Sequence, residues 1–312
     1  MTRTFNTRMV FRTMGALLLI EAVFMTLALG VSLWYGEADS DIFLFSTIVT
    51  LLTGLIGLLI GRRAESRMGE REGYVIVAMV WVVFSAFGLL PYYLSGQVPS
   101  FTDAWFESMS GFTTTGATII PNLDVITHGL LFWRSLTQWI GGMGIIVLSI
   151  AILPIFGLNG MQLYAAEVTG LTYEKLSPRI SDTAKMMWTT YVILTASEIL
   201  GLWLCGMPIF DAVCHSFSTI ATGGFSTKNN SLEFYDSAAI HYLVTFFMFV
   251  SGINFVILIY LVSGKARHFF RDEELRWYTV AVVLFSLLLT IGLYIARPGW
   301  TGLHMESAFR DS

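Results

Sequence analysis

The stretch SMSGFTTTGATII, residues 108–120, is rich in threonine, serine and glycine, although the segments on both sides of it are apolar. Glycine and threonine are weak helix formers, and hydroxyl groups make a poor surface for contact with lipid. The whole chain has 55% hydrophobic and 13% charged residues, with a mean hydropathy of +0.68, whereas about a quarter of the residues in soluble domains are charged. The composition therefore predicts a membrane protein, and the Thr/Gly stretch must be accommodated within a bilayer.

Seven apolar stretches approach the length of about 20 residues that a helix needs to cross a bilayer. The first of them follows three arginines and has some features of a signal peptide, but its apolar run is long and further spans follow it. We therefore interpret it as an uncleaved spanning helix and predict an all-α, multi-pass integral membrane protein. The stretches lie near residues 13–35, 41–61, 74–95, 130–157, 187–207, 238–262 and 277–296.

The basic residues are distributed unevenly between the two sides that these spans define. Of the 18 Lys and Arg residues, all but Arg134, Lys228, Arg297 and Arg310 lie on one side. Positive residues concentrate in cytoplasmic loops, so we predict that the N-terminus is cytoplasmic. The opposite side carries mainly carboxylates, which would raise the local cation concentration at that mouth. These carboxylates are Glu37, Asp39, Asp41, Asp103, Glu107, Asp124, Asp211, Glu233, Asp236, Glu306 and Asp311.

The Thr/Gly stretch belongs to a sequence that occurs twice. FTDAWFESMSGFTTTGAT at 101–118 and IFDAVCHSFSTIATGGFS at 209–226 share the frame D-A-x-x-x-S-x-S-x-x-x-T-x-G without a gap. Matched residues, such as Asp103 and Asp211, are 108 positions apart. An apolar span precedes each copy and another follows it. One unit is therefore a helix, a short half-helix, a Thr/Gly loop and a second helix.

The half-helices at 103–112 and 211–220 are too short to cross a membrane, so each half-helix must enter and its loop must return to the same face. Non-helical backbone at membrane depth occurs where protein buries it or where it lines a water-filled cavity. We therefore interpret both loops as re-entrant segments that face a pore. We also expect Asp103 and Asp211 to be the N-caps of the half-helices, where a carboxylate suits the free N–H groups and the positive end of the dipole.

The two glycines of the repeated frame, Gly116 and Gly224, suggest how such a loop would contact an ion. Glycine adopts backbone angles that other residues avoid, so that consecutive carbonyls can point toward one axis. Rings of carbonyl oxygens replace the hydration shell of potassium in known filters. The C-terminal end of each half-helix, with its partial negative charge, would point at the same cation.

At these residues the sequence resembles the Trk/Ktr/HKT superfamily of potassium transporters, and within it the TrkH-type membrane subunit. The first pore loop and following helix of that family are similar to FESMSGFTTTGAT at 106–118 and WRSLTQWIGGMGIIVLSIAILP at 133–154. The second pair is similar to HSFSTIATGGFST at 215–227 and SGINF at 251–255. The resemblance covers nearly the whole chain, including the two leading helices.

The resemblance implies four helix, pore-loop, helix units around one pseudo-fourfold pore, with K⁺ passing down its gradient through the filter. It implies gating by a cytosolic ring of nucleotide-binding RCK (TrkA-like) subunits, a homodimer of full-length subunits, and a location in the plasma membrane, the bacterial cell inner membrane. In this chain the filter positions that would bind K⁺ are Thr113, Thr114, Thr115, Gly116, Ala221, Thr222, Gly223 and Gly224.

The chain divides into four parts on this interpretation. Two leading transmembrane helices occupy 1–69, the first pore-loop unit 70–160 and the second 180–270, and 271–312 begins a third, incomplete unit. A third filter and a fourth unit, which the family has, do not occur before Ser312. We therefore expect the sequence to be a fragment of a longer gene product.

Two other functions are compatible with the sequence. The first is transport by a sodium-permeable or cation-coupled member of the family. Gly116 argues against this function, because some sodium-permeable relatives have Ser at this position. A non-conducting membrane scaffold or interaction subunit is the second. We expect no enzymatic activity, because Asp211, His215 and Ser216 have the residue types of a hydrolase triad without its arrangement. We also expect no nucleic-acid partner.

Three further features allow more than one interpretation. GGMG at 141–144 lacks the third glycine of a dinucleotide-binding fingerprint, so we expect it to permit close helix packing. Asn254 either faces the pore or bonds to a neighbouring helix, and the sequence does not distinguish these alternatives. Glu21 and Glu198 lie inside predicted spans, where an ionisable group indicates either function or pairing.

Overall fold

The computed structural model describes residues 5–64, 70–144, 180–262, 264 and 266–296. Their regular secondary structure is helical throughout. Five helical segments are long and apolar enough to cross a membrane, as the composition predicts. They are Thr7–Tyr35, Ser40–Arg63, Arg71–Leu94, Lys185–Leu204 and Glu273–Gly292.

Two leading helices, α1 (Thr7–Tyr35) and α2 (Ser40–Ile60), pack against each other through glycines. A Cβ on Gly15 would lie 2.6 Å from the carbonyl oxygen of Gly54, and a Cβ on Gly57 would lie 2.9 Å from the Cα of Gly15. Small residues allow such close approach of helix backbones in membranes. The two helices therefore form one tightly packed pair.

The first unit contains α3 (Glu70–Gly88), the short α4 (Leu90–Leu94), the half-helix α5 (Phe101–Phe112) and α6 (His128–Gly142). Helices α3 and α4 together occupy the span that the sequence predicts at 74–95. The span predicted at 130–157 begins as α6, and its residues from 145 onward lie outside the described part of the chain.

The second unit repeats this order with α7 (Ile180–Leu204), the half-helix α8 (Ile209–Ile220), α9 (Ala238–Ser251) and α10 (Phe255–Val262). A short helix, α11 (Ala266–Phe269), leads to α12 (Glu273–Ala296).

The two half-helices begin and end 108 positions apart and have 12 residues each. Twelve residues extend about 18 Å, which is less than the roughly 30 Å of hydrocarbon in a bilayer. The predicted repetition of helix, half-helix, loop and helix is confirmed.

One prediction is wrong, because the span expected at 238–262 is interrupted after Ser251. The hydroxyl of Tyr278 donates to the carbonyl of Phe249 at 3.1 Å, the oxygen that the N–H of Ile253 would bond in a continuous α-helix. That N–H instead donates to Val250 at 3.1 Å. The turn of α12 that carries Tyr278 therefore stabilises the break between α9 and α10.

Asn254, within this break, lies beside a neighbouring helix. Its Nδ2 is 3.3 Å and 3.5 Å from the two carboxylate oxygens of Glu274 at the start of α12. Of the two alternatives for Asn254, the structure therefore shows a helix-to-helix contact.

The main hydrophobic core lies where α1, α3, α5 and α6 meet. Phe112, at the end of the first half-helix, is fully buried and packs edge-on against Phe84 at 5.4 Å and Trp133 at 6.2 Å between ring centroids. The Trp133 indole donates to the carbonyl of Gly88 at 3.0 Å. This packing fixes the depth and direction of α5 and thus the position of the loop that follows it.

Candidate functional site

The site consists of the first loop, residues 113–116, and the second loop, residues 221–224, each directly after a half-helix. Both loops alternate in backbone conformation. Thr114 and Gly116 have φ of 54° and 75°, and Thr222 and Gly224 have φ of 55° and 82°, whereas the residues between them do not have positive φ. The eight positions that the family resemblance indicates thus form two copies of one backbone arrangement.

The first residues of each loop cap the C-terminal end of the half-helix that precedes it. In the first loop, the N–H of Thr115 donates to Ser110 at 3.0 Å and the N–H of Thr114 donates to Gly111 at 3.0 Å. These bonds, with a left-handed residue at Thr114, form a Schellman motif. Glycine usually occupies that left-handed position, and a β-branched residue there is an outlier.

The second loop repeats this cap. The N–H of Gly223 donates to Ser218 at 2.8 Å and the N–H of Thr222 donates to Thr219 at 2.9 Å. The donors at the start of each loop are therefore directed back toward the helix. No donor among the described residues bonds to the carbonyl oxygens of residues 113–116 or 221–224. Each loop presents backbone oxygens that are available to a ligand.

The two loops are in contact with each other. The carbonyl oxygen of Gly223 lies against the Cα of Gly116, and a Cβ at Gly116 would overlap that oxygen. Only glycine fits at this point, both for space and for its positive φ. The structure therefore places the loops side by side rather than on separate sides of the membrane.

The GGMG segment supports both loops through close packing, as the sequence predicts. A Cβ on Gly141 would overlap the carbonyl oxygen of Phe112. A Cβ on Gly142 would lie 2.6 Å from the Cα of Ala221 in the second loop. The end of α6 thus packs directly against the end of one half-helix and the beginning of the other loop.

Sequence reasoning missed Arg134, which is 2% exposed and connects the two units. Its Nε donates to Oε1 of Glu107 at 2.6 Å, and its Nη1 donates to the carbonyl of Ser226 at 2.9 Å. Its guanidinium carbon lies 3.6 Å from the centroid of the Phe225 ring, a cation–π contact. A basic residue inside an apolar helix was a signal that something must neutralise it.

Glu107 does not belong to an acidic mouth, so that part of the prediction is wrong. Its side chain is fully buried. Besides Arg134, it accepts hydrogen bonds from the hydroxyl of Thr118 at 3.0 and 3.1 Å and from the N–H of Ile119 at 3.2 Å. The carboxylate therefore holds the segment after the first loop against the half-helix that precedes it.

The second unit makes the corresponding contact with different residues. His215 and Ser226 stand 108 positions after Glu107 and Thr118, and Nε2 of His215 lies 3.0 Å from the hydroxyl of Ser226. The other ring nitrogen lies 2.8 Å from the carbonyl of Asp211. His215 therefore contacts Ser226 rather than the adjacent Ser216, whose hydroxyl is buried without a hydrogen-bond partner in the described structure.

The half-helix N-caps also differ from the prediction. Ser100 and Pro208 are the N-caps, and Asp103 and Asp211 are the third residues of α5 and α8. The hydroxyl of Ser100 accepts from the N–H of Asp103 at 3.4 Å. The aspartates still lie in the first turn, where the helix dipole favours a negative charge.

Asp211 has its own partners on the segment that follows the second loop. Its Oδ1 accepts from the hydroxyl of Thr227 at 2.6 Å, and its Oδ2 lies 3.6 Å from Nζ of Lys228. Burial raises the pKa of the nearby Tyr235 hydroxyl, and the charge of Asp211 raises it further. Asp211 is thus a buried structural residue and not part of a solvated acidic surface.

Two more carboxylates of the expected acidic mouth stabilise the beginning of α6. Glu37 accepts from the backbone N–H groups of His128 at 2.8 Å and of Gly129 at 3.0 Å. Asp39 is 3% exposed and accepts from the hydroxyls of Ser32 and Thr127. Asp41, Asp103, Asp124, Glu233 and Asp236 are exposed, so a smaller acidic surface than predicted is present among the described residues.

The described residues contain long apolar helices and two half-helices, each followed by a loop, and the two loops lie in contact. This combination is typical of a multi-pass membrane protein whose site is a pair of loops. The chain belongs to the TrkH family, since the family's sequence profile, described as a cation transport protein, matches residues 39–296. This is a family of transporters and not of enzymes.

Named relatives and a solved structure agree with this assignment. The chain is 42% identical over 291 residues to the Trk system potassium uptake protein TrkH of Salmonella typhimurium, covering 92% of this chain and 60% of that protein. It is 32% identical to TrkG of Escherichia coli K12, covering 96% and 62%. The crystal structure of the potassium transporter TrkH from Vibrio parahaemolyticus matches with a TM-score of 0.84 and 36% identity, covering 98% of this chain and 62% of that one.

Proposed function

We propose that this chain takes part in potassium uptake across the plasma membrane, the bacterial inner membrane, as the membrane subunit of a Trk-type system. The observation that carries the proposal is the pair of adjacent loops with free carbonyl oxygens. Their first N–H groups are bonded to the half-helices, and the oxygens of 113–116 and 221–224 accept no hydrogen bond from the described residues. Such oxygens replace the hydration shell of K⁺, which is here the transported substrate.

The electrostatics of the loops favour a cation. The C-terminal ends of α5 and α8 point into the loops, and a helix C-terminus carries about half a negative charge. Arg134, close to both loops, is paired with buried Glu107, so its positive charge is neutralised. Gly116 favours potassium over sodium, because some sodium-permeable relatives have Ser at this position.

The relatives support K⁺ as the ion, because TrkH and TrkG are named potassium uptake proteins. The chain spans about 60% of the length of TrkH from Salmonella typhimurium. We propose that residues 70–160 and 180–270 supply two adjacent walls of the conduit. The ligands of K⁺ on these walls would be the eight loop residues, which are Thr113, Thr114, Thr115, Gly116, Ala221, Thr222, Gly223 and Gly224.

Uptake of ⁸⁶Rb⁺ tests this proposal in bacteria that lack their own potassium uptake systems and express the complete gene. We expect uptake in the parent and none in Gly116→Asp. Gly96→Asp is the matched control, because Gly96 also has a positive φ of 71° but no atom lies within 4 Å of a Cβ there. Preferential uptake of ²²Na⁺ would favour a sodium-permeable or cation-coupled transporter. No uptake by a correctly inserted protein would favour a membrane scaffold.

We also propose that the N-terminus is cytoplasmic, as the distribution of Lys and Arg favours. Cysteine labelling tests this orientation after replacement of the half-buried native Cys205. Arg63 and Glu233 are both exposed, and on this topology they lie on opposite sides of the membrane. An impermeant maleimide should label Glu233→Cys in intact cells and Arg63→Cys after permeabilisation, and the reverse pattern would invert the topology.

The working assembly that we propose is a homodimer of full-length subunits gated by a nucleotide-binding RCK (TrkA-like) ring. The resemblance to the TrkH-type membrane subunit supports this proposal. Light scattering of the purified protein, alone and after co-expression with such a ring subunit, tests the assembly, and a monomer that does not bind the ring would contradict it.

A further inference from the structure

Gln138, on α6, is fully buried behind the two loops. It stands one helical turn after Arg134, on the same face of the helix. Its Oε1 accepts from the N–H of Phe225 at 3.2 Å, which anchors the residue that follows the second loop. One end of the side-chain amide is therefore bonded to the second unit.

The amide also lies beside the backbone of both loops. A Cβ on Gly223 would lie 2.5 Å from Oε1 and 2.6 Å from Nε2, so Gly223 leaves space for the amide group. A Cβ on Gly116 would lie 3.8 Å from Nε2. Gln138 thus lies where Gly116 and Gly223 of the two units meet.

The Nε2 group has no hydrogen-bond partner among the described residues. Buried polar groups nearly always have partners, and an exception requires an explanation. Here a fully buried amide donor lies beside loops whose carbonyl oxygens accept no bonds from the described residues. The second unit has no corresponding buried amide. When GGMG at 141–144 is aligned with SGIN at 251–254, the position of Gln138 is occupied by Met248, which is exposed.

We propose that Gln138 is a positioning residue that sets ion selectivity by holding the first and second loops at a fixed separation. This inference rests on the proposed function, because it concerns the ion that the loops select. The distance between carbonyl oxygens on adjacent walls sets the size of the cavity, which is one of the properties by which a filter replaces the hydration shell of K⁺ rather than that of Na⁺. Anchoring Phe225 and filling the space beside Gly223 both fix that distance.

Two variants of nearly the same size separate the functions of the amide. Gln138→Glu keeps an oxygen that can accept from Phe225 and puts a second carboxyl oxygen, with its charge, in place of the Nε2 donor, and Gln138→Met removes both polar groups without adding a charge. We expect the ratio of Rb⁺ to Na⁺ uptake to fall by roughly threefold to tenfold in Gln138→Met, the factor that one hydrogen bond contributes. A similar fall in Gln138→Glu would assign the effect to Nε2, and a parental ratio there would assign it to the Phe225 anchor.

Ser135→Ala is the control on the same helix, because Ser135 is buried and its hydroxyl donates to Leu131 within α6 at 3.2 Å. It should keep the parental ratio. A parental ratio in both Gln138 variants, or reduced uptake of both ions at an unchanged ratio, would overturn the inference while leaving the proposed function intact. If Gln138→Met does not accumulate in the membrane, Gln138→Leu, which also lacks both polar groups, takes its place. Absence of uptake by the parent would instead contradict the proposed function.

Discussion

The Nε of Arg134 donates to Oε1 of Glu107 at 2.6 Å, and the two side chains are 2% and 0% exposed. Through Nη1, the same guanidinium donates to the carbonyl of Ser226 in the second unit. The ion pair therefore joins the two units beside the loops, where removal of one charge would leave the other buried and unpaired.

Glu107→Gln should destabilise the protein strongly. Breaking a buried ion pair on one side costs about 3–5 kcal/mol, because the Arg134 charge loses its counterion. We expect a large drop in the midpoint of thermal unfolding. The midpoint is measured by size-exclusion chromatography of the detergent-solubilised protein after heating. Asp103→Asn is the control, since Asp103 lies one turn earlier on α5 and is exposed. Equal midpoints for the two variants would show that the pair is not stabilising.

Gly116→Ala tests the contact between the loops. An alanine there combines an unfavourable positive φ with overlap onto the Gly223 carbonyl, so we expect loss of ⁸⁶Rb⁺ uptake. Gly36 has a similar φ of 66° but open space around a Cβ. Gly36→Ala should therefore cost only the backbone strain, about 1 kcal/mol, and retain uptake. Parental uptake in Gly116→Ala would contradict the close approach of the two loops.

Asn229, on the segment after the second loop, makes three hydrogen bonds to residues 122–124, on the segment after the first loop. Its Oδ1 accepts from the N–H of Leu123 at 2.7 Å, and its Nδ2 donates to Asn122 and Asp124, each at 2.8 Å. Asn229→Ala should lower the free energy of unfolding by about 1–2 kcal/mol, since each bond contributes about 0.5–1.5 kcal/mol and water competes at this surface. Asn230→Ala, whose side chain makes no capping bond, should have little effect. Unfolding midpoints of both variants provide the comparison.

The sequence predicted the features that depend on local pattern. The half-helices and loops follow from the repeated frame, because the same residue types close two helices in the same way. The break after Ser251 could not be predicted, since it depends on a hydroxyl from Tyr278 in a different helix. The pairing of Glu107 with Arg134 likewise depends on which helices meet. The sequence shows that Glu107 is charged, but it does not show whether the carboxylate lies at a solvated pore entrance or in a buried ion pair.

Thr114 provides a test of strain at the site. With φ of 54°, it occupies the left-handed Schellman position at which glycine is favoured, and a left-handed residue with a Cβ costs roughly 1–2 kcal/mol. In Thr114→Gly the relief of strain should offset the added chain entropy of glycine, about 0.5–1 kcal/mol, so the unfolding midpoint should stay level or rise. Thr113→Gly is the neighbouring control.

Thr113 has an ordinary φ of −80°, and its hydroxyl donates to the carbonyl of Met109 at 2.7 Å. Thr113→Gly loses that bond and gains chain entropy without relief of strain, so its midpoint should fall below that of Thr114→Gly. The two variants have the same composition and differ by one position in one loop. The opposite order of midpoints would show that the left-handed threonine is not strained, and glycine would then have no advantage at the end of the half-helix.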